Sequence, residues 1–263
     1  MKSEPSSPTA RPRFGWTVFA APKQFDRLAT RAAPWCWAVA VLAGLGGLYL
    51  GFFVAPTDFQ QGEAYRIIFI HVPAAWMSML LYLSIAFWSA LGWGLNARMA
   101  ALLARAVAPT GALFTAVALV TGALWGQPTW GTWWVWDARL TSELILLLLY
   151  LGYIALVEAI DDPRRSAQAG ALLSLVGALN VPIIYFSVRW WNTLHQGASI
   201  SMTAAPKMAQ TMLQAMLLMT LSFWAYAFAV VFTRARALAL DAEADAGWVA
   251  ERYRADPRKE MQR

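Results

Sequence analysis

Cysteine is nearly missing from this chain. Cys36 is the only one in 263 residues, so a disulfide framework and a CxxC redox pair are excluded. Histidine is almost as scarce, with His71 and His195 alone. Charge is thin too: 14% of residues are charged and 59% are hydrophobic, where a soluble domain carries ~25% charged residues. Mean hydropathy is correspondingly positive, at +0.46. There is no glycine-rich phosphate loop, so the chain by itself has no ATPase motif. No Asp, Glu, Lys, Arg or His falls at the centre of any long apolar run; Glu143 and Glu158 lie at the ends of the fourth. Ionisable groups inside a membrane mark proton relays and ion-coupled pathways, so their absence argues against a pump or an ion-driven transporter.

What is present is apolar length. Runs of spanning size lie at about 34–55, 73–94, 108–125, 143–160, 170–188 and 208–232. About 20 apolar residues at a 1.5 Å rise cross a ~30 Å hydrocarbon layer. Lipid leaves backbone groups unsatisfied, and these runs lack the alternation of barrel strands, so helices are expected. The fold class is all-α, a polytopic membrane protein with six transmembrane helices. Pro73 and Pro109 fall near expected helix starts, and Asn180 with Pro182 interrupts the fifth run. A cleavable signal would place its apolar core nearer the start, so the first run reads as a retained anchor.

Seventeen of the 21 Lys and Arg residues fall in the two tails and in the 95–107 and 161–169 loops. Arg66, Arg139, Arg189 and Lys207 are the exceptions. By the positive-inside rule both termini are cytoplasmic. The net charge of +6 is thus a topology signal, and nucleic acid is not an expected partner; the lipid bilayer is. Three regions follow: a cytoplasmic tail over 1–33, a six-helix domain over 34–232 and a cytoplasmic tail over 233–263. Segments 56–72, 126–142 and 189–207 share the outer face.

That face concentrates the unusual residues. Trp125, Trp130, Trp133, Trp134 and Trp136 fall within twelve positions, followed at once by Asp137 and Arg139. An aromatic belt at the membrane interface needs fewer rings, placed more loosely. The density points instead to a platform for a broad, flat, apolar ligand. His71 precedes the second span and His195 follows the fifth, beside Trp190 and Trp191, so both histidines share the platform's side. Two histidines cannot complete a tetrahedral zinc site, but a planar macrocycle brings four nitrogens and needs two axial ligands. Haem b fits this inventory, with His71 and His195 as its iron ligands. Arg66, Arg139 and Arg189 are candidate partners for the propionates, because a guanidinium forks onto carboxylate; membrane headgroup anchoring is their alternative use. Asp137 has the alternative use of capping the fourth helix.

Trp130 to Ser142 (Trp-Gly-Thr-Trp-Trp-Val-Trp-Asp-Ala-Arg-Leu-Thr-Ser) resembles the tryptophan-rich signature of the WWD-domain haem-handling proteins. With Tyr-Arg-Ile-Ile-Phe-Ile-His-Val-Pro before it and Trp-Trp-Asn-Thr-Leu-His-Gln-Gly after it, the chain is similar to the CcmC family over roughly residues 34–232. These are haem-delivery subunits of bacterial cytochrome c maturation. The larger WWD relatives CcmF and CcsBA have more spans and more histidines, and match less well. The resemblance implies a bacterial inner-membrane protein whose WWD loop, residues 125–142, faces the periplasm. It implies haem held between two histidines that map onto His71 and His195, and delivery to the haem chaperone CcmE. It further implies a complex with CcmA, CcmB and CcmD, whose ATP use releases the loaded chaperone. No catalytic residue is expected in the chain itself; orientation of a bound plate is a positioning task.

Two other haem functions compete. A b-type electron-transfer cytochrome normally carries its histidines within helices, with haem inside the bundle. A channel moving haem across the inner membrane needs a polar route for two propionates, and the span centres offer little beyond Asn180. A scaffold with no ligand would leave the histidines and the excess tryptophans unexplained.

Overall fold

The computed structural model describes residues 21–195 and 208–253. Eight α-helices follow in order: α1 Pro22–Tyr49, α2 Ile68–Gly94, α3 Arg98–Trp130, α4 Ala138–Ala159, α5 Pro163–Gly177, α6 Asn180–Trp190, α7 Gln210–Ala242 and α8 Gly247–Tyr253. A π-helical turn over Leu50–Val54 extends α1, and a 3-10 turn over Glu63–Ile67 leads directly into α2. No strand occurs among the described residues, only the isolated bridge between Asp58 and Gly62. Six helical runs are long and apolar enough to cross a membrane: Pro22–Val54, Glu63–Gly94, Arg98–Trp130, Ala138–Ala159, Pro163–Trp190 and Gln210–Ala242. The chain is a multi-pass membrane protein.

Several boundaries differ from the hydropathy pattern, for one reason. Apolar runs report the hydrocarbon layer, whereas backbone hydrogen bonding carries helices past it. The first span starts at Pro22 and not near Pro34, because a first-turn proline costs the helix no bond. Pro34 and Pro109 therefore lie inside α1 and α3, and not near their starts. The second span starts at Glu63, so its 3-10 turn and first α-turn absorb the stretch expected as loop. The interruption of the fifth span is real: α5 ends at Gly177 and α6 starts at Asn180. There the Asn180 Nδ2 donates to the Ser142 carbonyl at 2.8 Å, tying the break to α4.

Helices in lipid gain little from hiding apolar surface from one another, so close packing by small residues holds them together. The buried positions of α3 include Ala104, Ala106, Ala108, Gly111, Ala112 and Ala118, which let α2 and α4 approach it closely. Large rings fill the remaining core. Tyr82 of α2 and Tyr150 of α4 meet edge-on at 5.0 Å, and the Tyr150 hydroxyl donates to the Ser78 carbonyl at 2.7 Å. α1 packs along α7.

The two ends of the bundle are unlike. At one end Asp26 of α1 is 1% exposed. It accepts from the Arg236 Nε of α7 at 2.8 Å and the Tyr253 hydroxyl of α8 at 2.6 Å. The Arg252 Nε approaches its other oxygen at 2.7 Å. The first and last described helices therefore meet at the same end. The opposite end carries the start of α2, the finish of α3, the start of α4 and the finish of α6, and there the bundle opens into a cleft.

A candidate ligand cleft between two imidazoles

His71 of α2 lies roughly two turns into its helical run and is 7% exposed. Sequence placed it in an outer loop; the helical start at Glu63 puts it inside the bundle wall. Its Nδ1 lies 3.0 Å from the Thr121 Oγ1 of α3. Gly122 is the next residue, and a Cβ there would come within 3.1 Å of the imidazole Cε1. His195 belongs to the segment after α6 and is half-buried. The two rings have centroids 6.0 Å apart and planes 30° apart.

Around this pair stand Trp125, Trp130, Trp134, Arg139 and Glu143, all lining the cleft. Trp125 and Trp130 are helical, on the last turns of α3, whereas the sequence pattern read them as loop. The helix continues through Pro128 and stops at Gly131 (φ 77°), a left-handed cap that glycine adopts without strain. Trp125 meets His71 edge-on at 5.6 Å, and its Nε1 donates to the Gln61 Oε1 at 2.8 Å. Trp130 meets His195 at 6.0 Å. The link from Gly131 to Asp137 is all that remains of the expected loop. Within it Trp134 turns inward; its Nε1 is buried and has no hydrogen-bond partner among the described residues. A buried indole N–H without an acceptor suits a ligand that brings one. Trp133 and Trp136 face outward, at 57% and 76% exposure.

The arginines divide. Arg139 lines the cleft from the first turn of α4 and donates from Nη1 to the Ile184 carbonyl of α6 at 3.2 Å. Arg66 does not line the cleft. Its Nη1 donates to the Gly51 and Ala55 carbonyls at 2.5 and 3.1 Å, and its Nε to Glu63, so it closes the α1–α2 connection. Arg189 is exposed on α6 and lies outside the lining. Asp137 caps α4, accepting from the Leu140 N–H at 2.8 Å. Its other carboxylate oxygen is buried and without a hydrogen bond among the described residues.

Three contributors escaped the sequence reading. Glu143 is buried on the cleft floor and accepts from the Ser78 hydroxyl at 2.7 Å. Its spacing of four from Arg139 puts both on one helix face, a signal available in the sequence but discounted because Glu143 flanks an apolar run. Thr121 and Gly122 had no signal: nothing local marks a threonine or glycine that faces a histidine fifty residues earlier. No group of three or more His, Cys, Asp or Glu side chains able to hold a bare metal ion occurs among the described residues.

Fold and cleft together define a multi-pass helical membrane protein with a cleft lined by imidazole, indole and guanidinium groups at one end of its bundle, a candidate ligand site. The chain belongs to the CcmC family: residues 15–250 match the family model described as heme exporter protein C. It is 50% identical over 206 residues to the heme exporter protein C of Bradyrhizobium diazoefficiens, covering 78% of this chain and 77% of the relative. The Escherichia coli K12 protein of the same name is 51% identical over 180 residues, or 68% of this chain and 74% of that one. A ccmC-like mitochondrial protein of Marchantia polymorpha, described as putative for cytochrome c biosynthesis, is 51% identical over 166 residues, covering 63% and 68%. Membership carries a role in haem handling for cytochrome c maturation, as a membrane transport and delivery subunit and not as an enzyme.

Proposed function

We propose that this protein captures haem b in the cleft with His71 and His195 as axial ligands, and delivers it from there to the chaperone CcmE. The observation that carries the reading is the spacing of the two rings. An iron bonded to an imidazole nitrogen on each side at the ~2 Å of metal–imidazole bonds puts the ring centres roughly 6 Å apart. The centroid separation is 6.0 Å. A chain with two histidines in all brings both to that distance, within one aromatic-walled cleft.

The remaining lining suits the same cargo. Trp125, Trp130 and Trp134 supply apolar faces for the macrocycle. Arg139 and the Trp134 N–H supply donors for a propionate in a partly buried setting where charge-assisted bonds are strong. Trp133 and Trp136, exposed on either side of Trp134 in the link, suit contact with a partner or with lipid headgroups. Bis-histidine ligation leaves no open iron position for oxygen, which suits a carrier. The protein forms no covalent bond of its own in this reading; it fixes the plate so that one edge projects toward the chaperone.

In the cell the cleft faces the periplasm of the bacterial inner membrane, with both termini cytoplasmic, and the protein works in a complex with CcmA, CcmB and CcmD. The charge bias supports that orientation, and the meeting of α1, α7 and α8 at the end away from the cleft agrees with it. The test is the visible absorption spectrum of the purified protein beside a His71→Ala/His195→Ala double variant. Low-spin six-coordinate haem in the unmodified protein, lost in the variant, is the expected result. Equal low-spin haem in both would refute the assignment.

A further inference from the structure

The geometry points to Thr121 as a positioning residue that fixes the tautomer of His71, accepting from Nδ1–H so that the proton stays there and Nε2 is left bare toward the cleft. The inference rests on the haem reading above for its purpose, but not for its evidence, which is a hydrogen-bond count.

Thr121 Oγ1 lies 2.6 Å from the Val117 carbonyl one turn back on α3 and 3.3 Å from the Ala118 carbonyl, a second acceptor that also faces the His71 ring. A carbonyl oxygen only accepts, so the single hydroxyl proton is committed there. The hydroxyl then has lone pairs alone to offer its other neighbour, the His71 Nδ1 at 3.0 Å. A nitrogen facing a lone pair in a buried setting must bring the proton. The Nδ1 of His71 is therefore the N–H, and its Nε2 carries the free electron pair. An imidazole ligates a metal through such a pair, and the partner of the other nitrogen decides which one it is.

Gly122 makes the seat possible. An alanine methyl there would lie 3.1 Å from the His71 Cε1 and 3.6 Å from Nδ1, tight enough to push the ring off the threonine by a few tenths of an ångström. Trp125, three residues on and edge-on to the same ring at 5.6 Å, completes the wall. One stretch of α3 thus holds the ring by hydrogen bond, by clearance and by aromatic contact.

The first test needs no haem. With two histidines in the chain, ring nitrogen-15 labelling gives two spin systems, and a His195→Ala sample assigns them. The His71 ring should show a protonated Nδ1 and a bare Nε2 in the haem-free, detergent-solubilised protein. A protonated Nε2 would overturn the inference. The second test compares haem titrations of Thr121→Val, Thr121→Ser and His71→Ala. Losing an outer partner of a metal-bound histidine costs about 10–100-fold in affinity, and Thr121→Val should show a loss of that order. Its bound haem should have a more positive midpoint potential, because an imidazole that no longer donates is a poorer donor to ferric iron. Thr121→Ser should restore both values. If His71→Ala loses haem while Thr121→Val keeps unmodified affinity and potential, Thr121 has no positioning role. If His71→Ala keeps an unmodified spectrum, the haem reading fails, and the tautomer measurement still decides the claim about Thr121.

Discussion

The two histidines of the cleft are supported in opposite ways. His71 belongs to a helix, is almost fully buried, and is seated against Thr121, Gly122 and Trp125 of a second helix. His195 follows the last turn of α6, is half-buried, and meets Trp130 at 6.0 Å. A carrier must hold its cargo and also surrender it, and a cleft with two equally rigid ligands would do only the first. On the haem reading proposed above, the buried His71 wall would fix the iron's position and the His195 side would be the one from which ligation is exchanged. That proposal assigns holding to the α2–α3 wall and release to the α6 side.

The largest effects should expose that asymmetry directly. In single variants measured side by side, His71→Ala is expected to lower haem affinity beyond the ~100-fold that an outer-partner loss reaches. His195→Ala should retain more haem, as a five-coordinate species held by His71 and the indole wall. Absorption and resonance Raman spectra of the two variants at matched protein concentration would check this. Greater retention in His71→Ala would reverse the roles assigned to the two walls.

A smaller effect lies between the walls. Arg139 reaches from α4 to the Ile184 carbonyl of α6, so it ties the His195 side to the rest of the bundle while lining the cleft. Arg139→Leu removes a charged donor, worth about 1.5–3 kcal/mol when paired, or roughly tenfold and upward in haem affinity. Arg66→Leu removes the clamp on the Gly51 and Ala55 carbonyls and should lower thermal stability with little change in the haem spectrum. Calorimetric haem titration beside thermal melts separates the two. Equal loss of haem in both variants would mean that Arg66 serves the cleft after all.

Much of this architecture is legible in the sequence, because the bilayer imposes a one-dimensional code. Length and apolarity place six spans, and the Lys and Arg bias supplies the orientation proposed for them. The same code is blind to helix that continues beyond the hydrocarbon. His71 and Trp125 consequently looked like loop residues, although backbone hydrogen bonds extend α2 and α3 around them. The candidate cleft was legible through rare residues: two histidines and a tryptophan cluster stand out in any background, and the structure brings both histidines and three of the tryptophans together. Arg66, Arg139 and Arg189 were indistinguishable by charge, and only packing separates the one that lines the cleft. Thr121, Gly122 and Glu143 belong to a third kind. They are ordinary residues whose importance is a spatial relation between α2, α3 and α4, and no local pattern encodes such a relation.

The smallest expected effect tests whether the tryptophan link belongs to the holding wall or the releasing one. Asp137 both ends the Trp133–Trp136 stretch and caps α4, through its bond from the Leu140 N–H. Asp137→Ala should cost about 1 kcal/mol of helix stability by loss of the cap, while Asp137→Asn keeps an accepting oxygen and should lose a few tenths at most. If the link moves with the α3 wall, Gly131 and the end of α3 continue to hold Trp134 near the cleft, and haem affinity falls no further than the cap's own small loss. If the link moves with α4, freeing its first turn displaces Arg139 as well, and Asp137→Ala approaches the defect of Arg139→Leu. Haem titration of the two Asp137 variants beside Arg139→Leu distinguishes these cases. The position of Arg139 within one turn of the cap makes the coupled outcome the expected one: a modest loss, larger than the cap alone predicts and smaller than removal of the guanidinium.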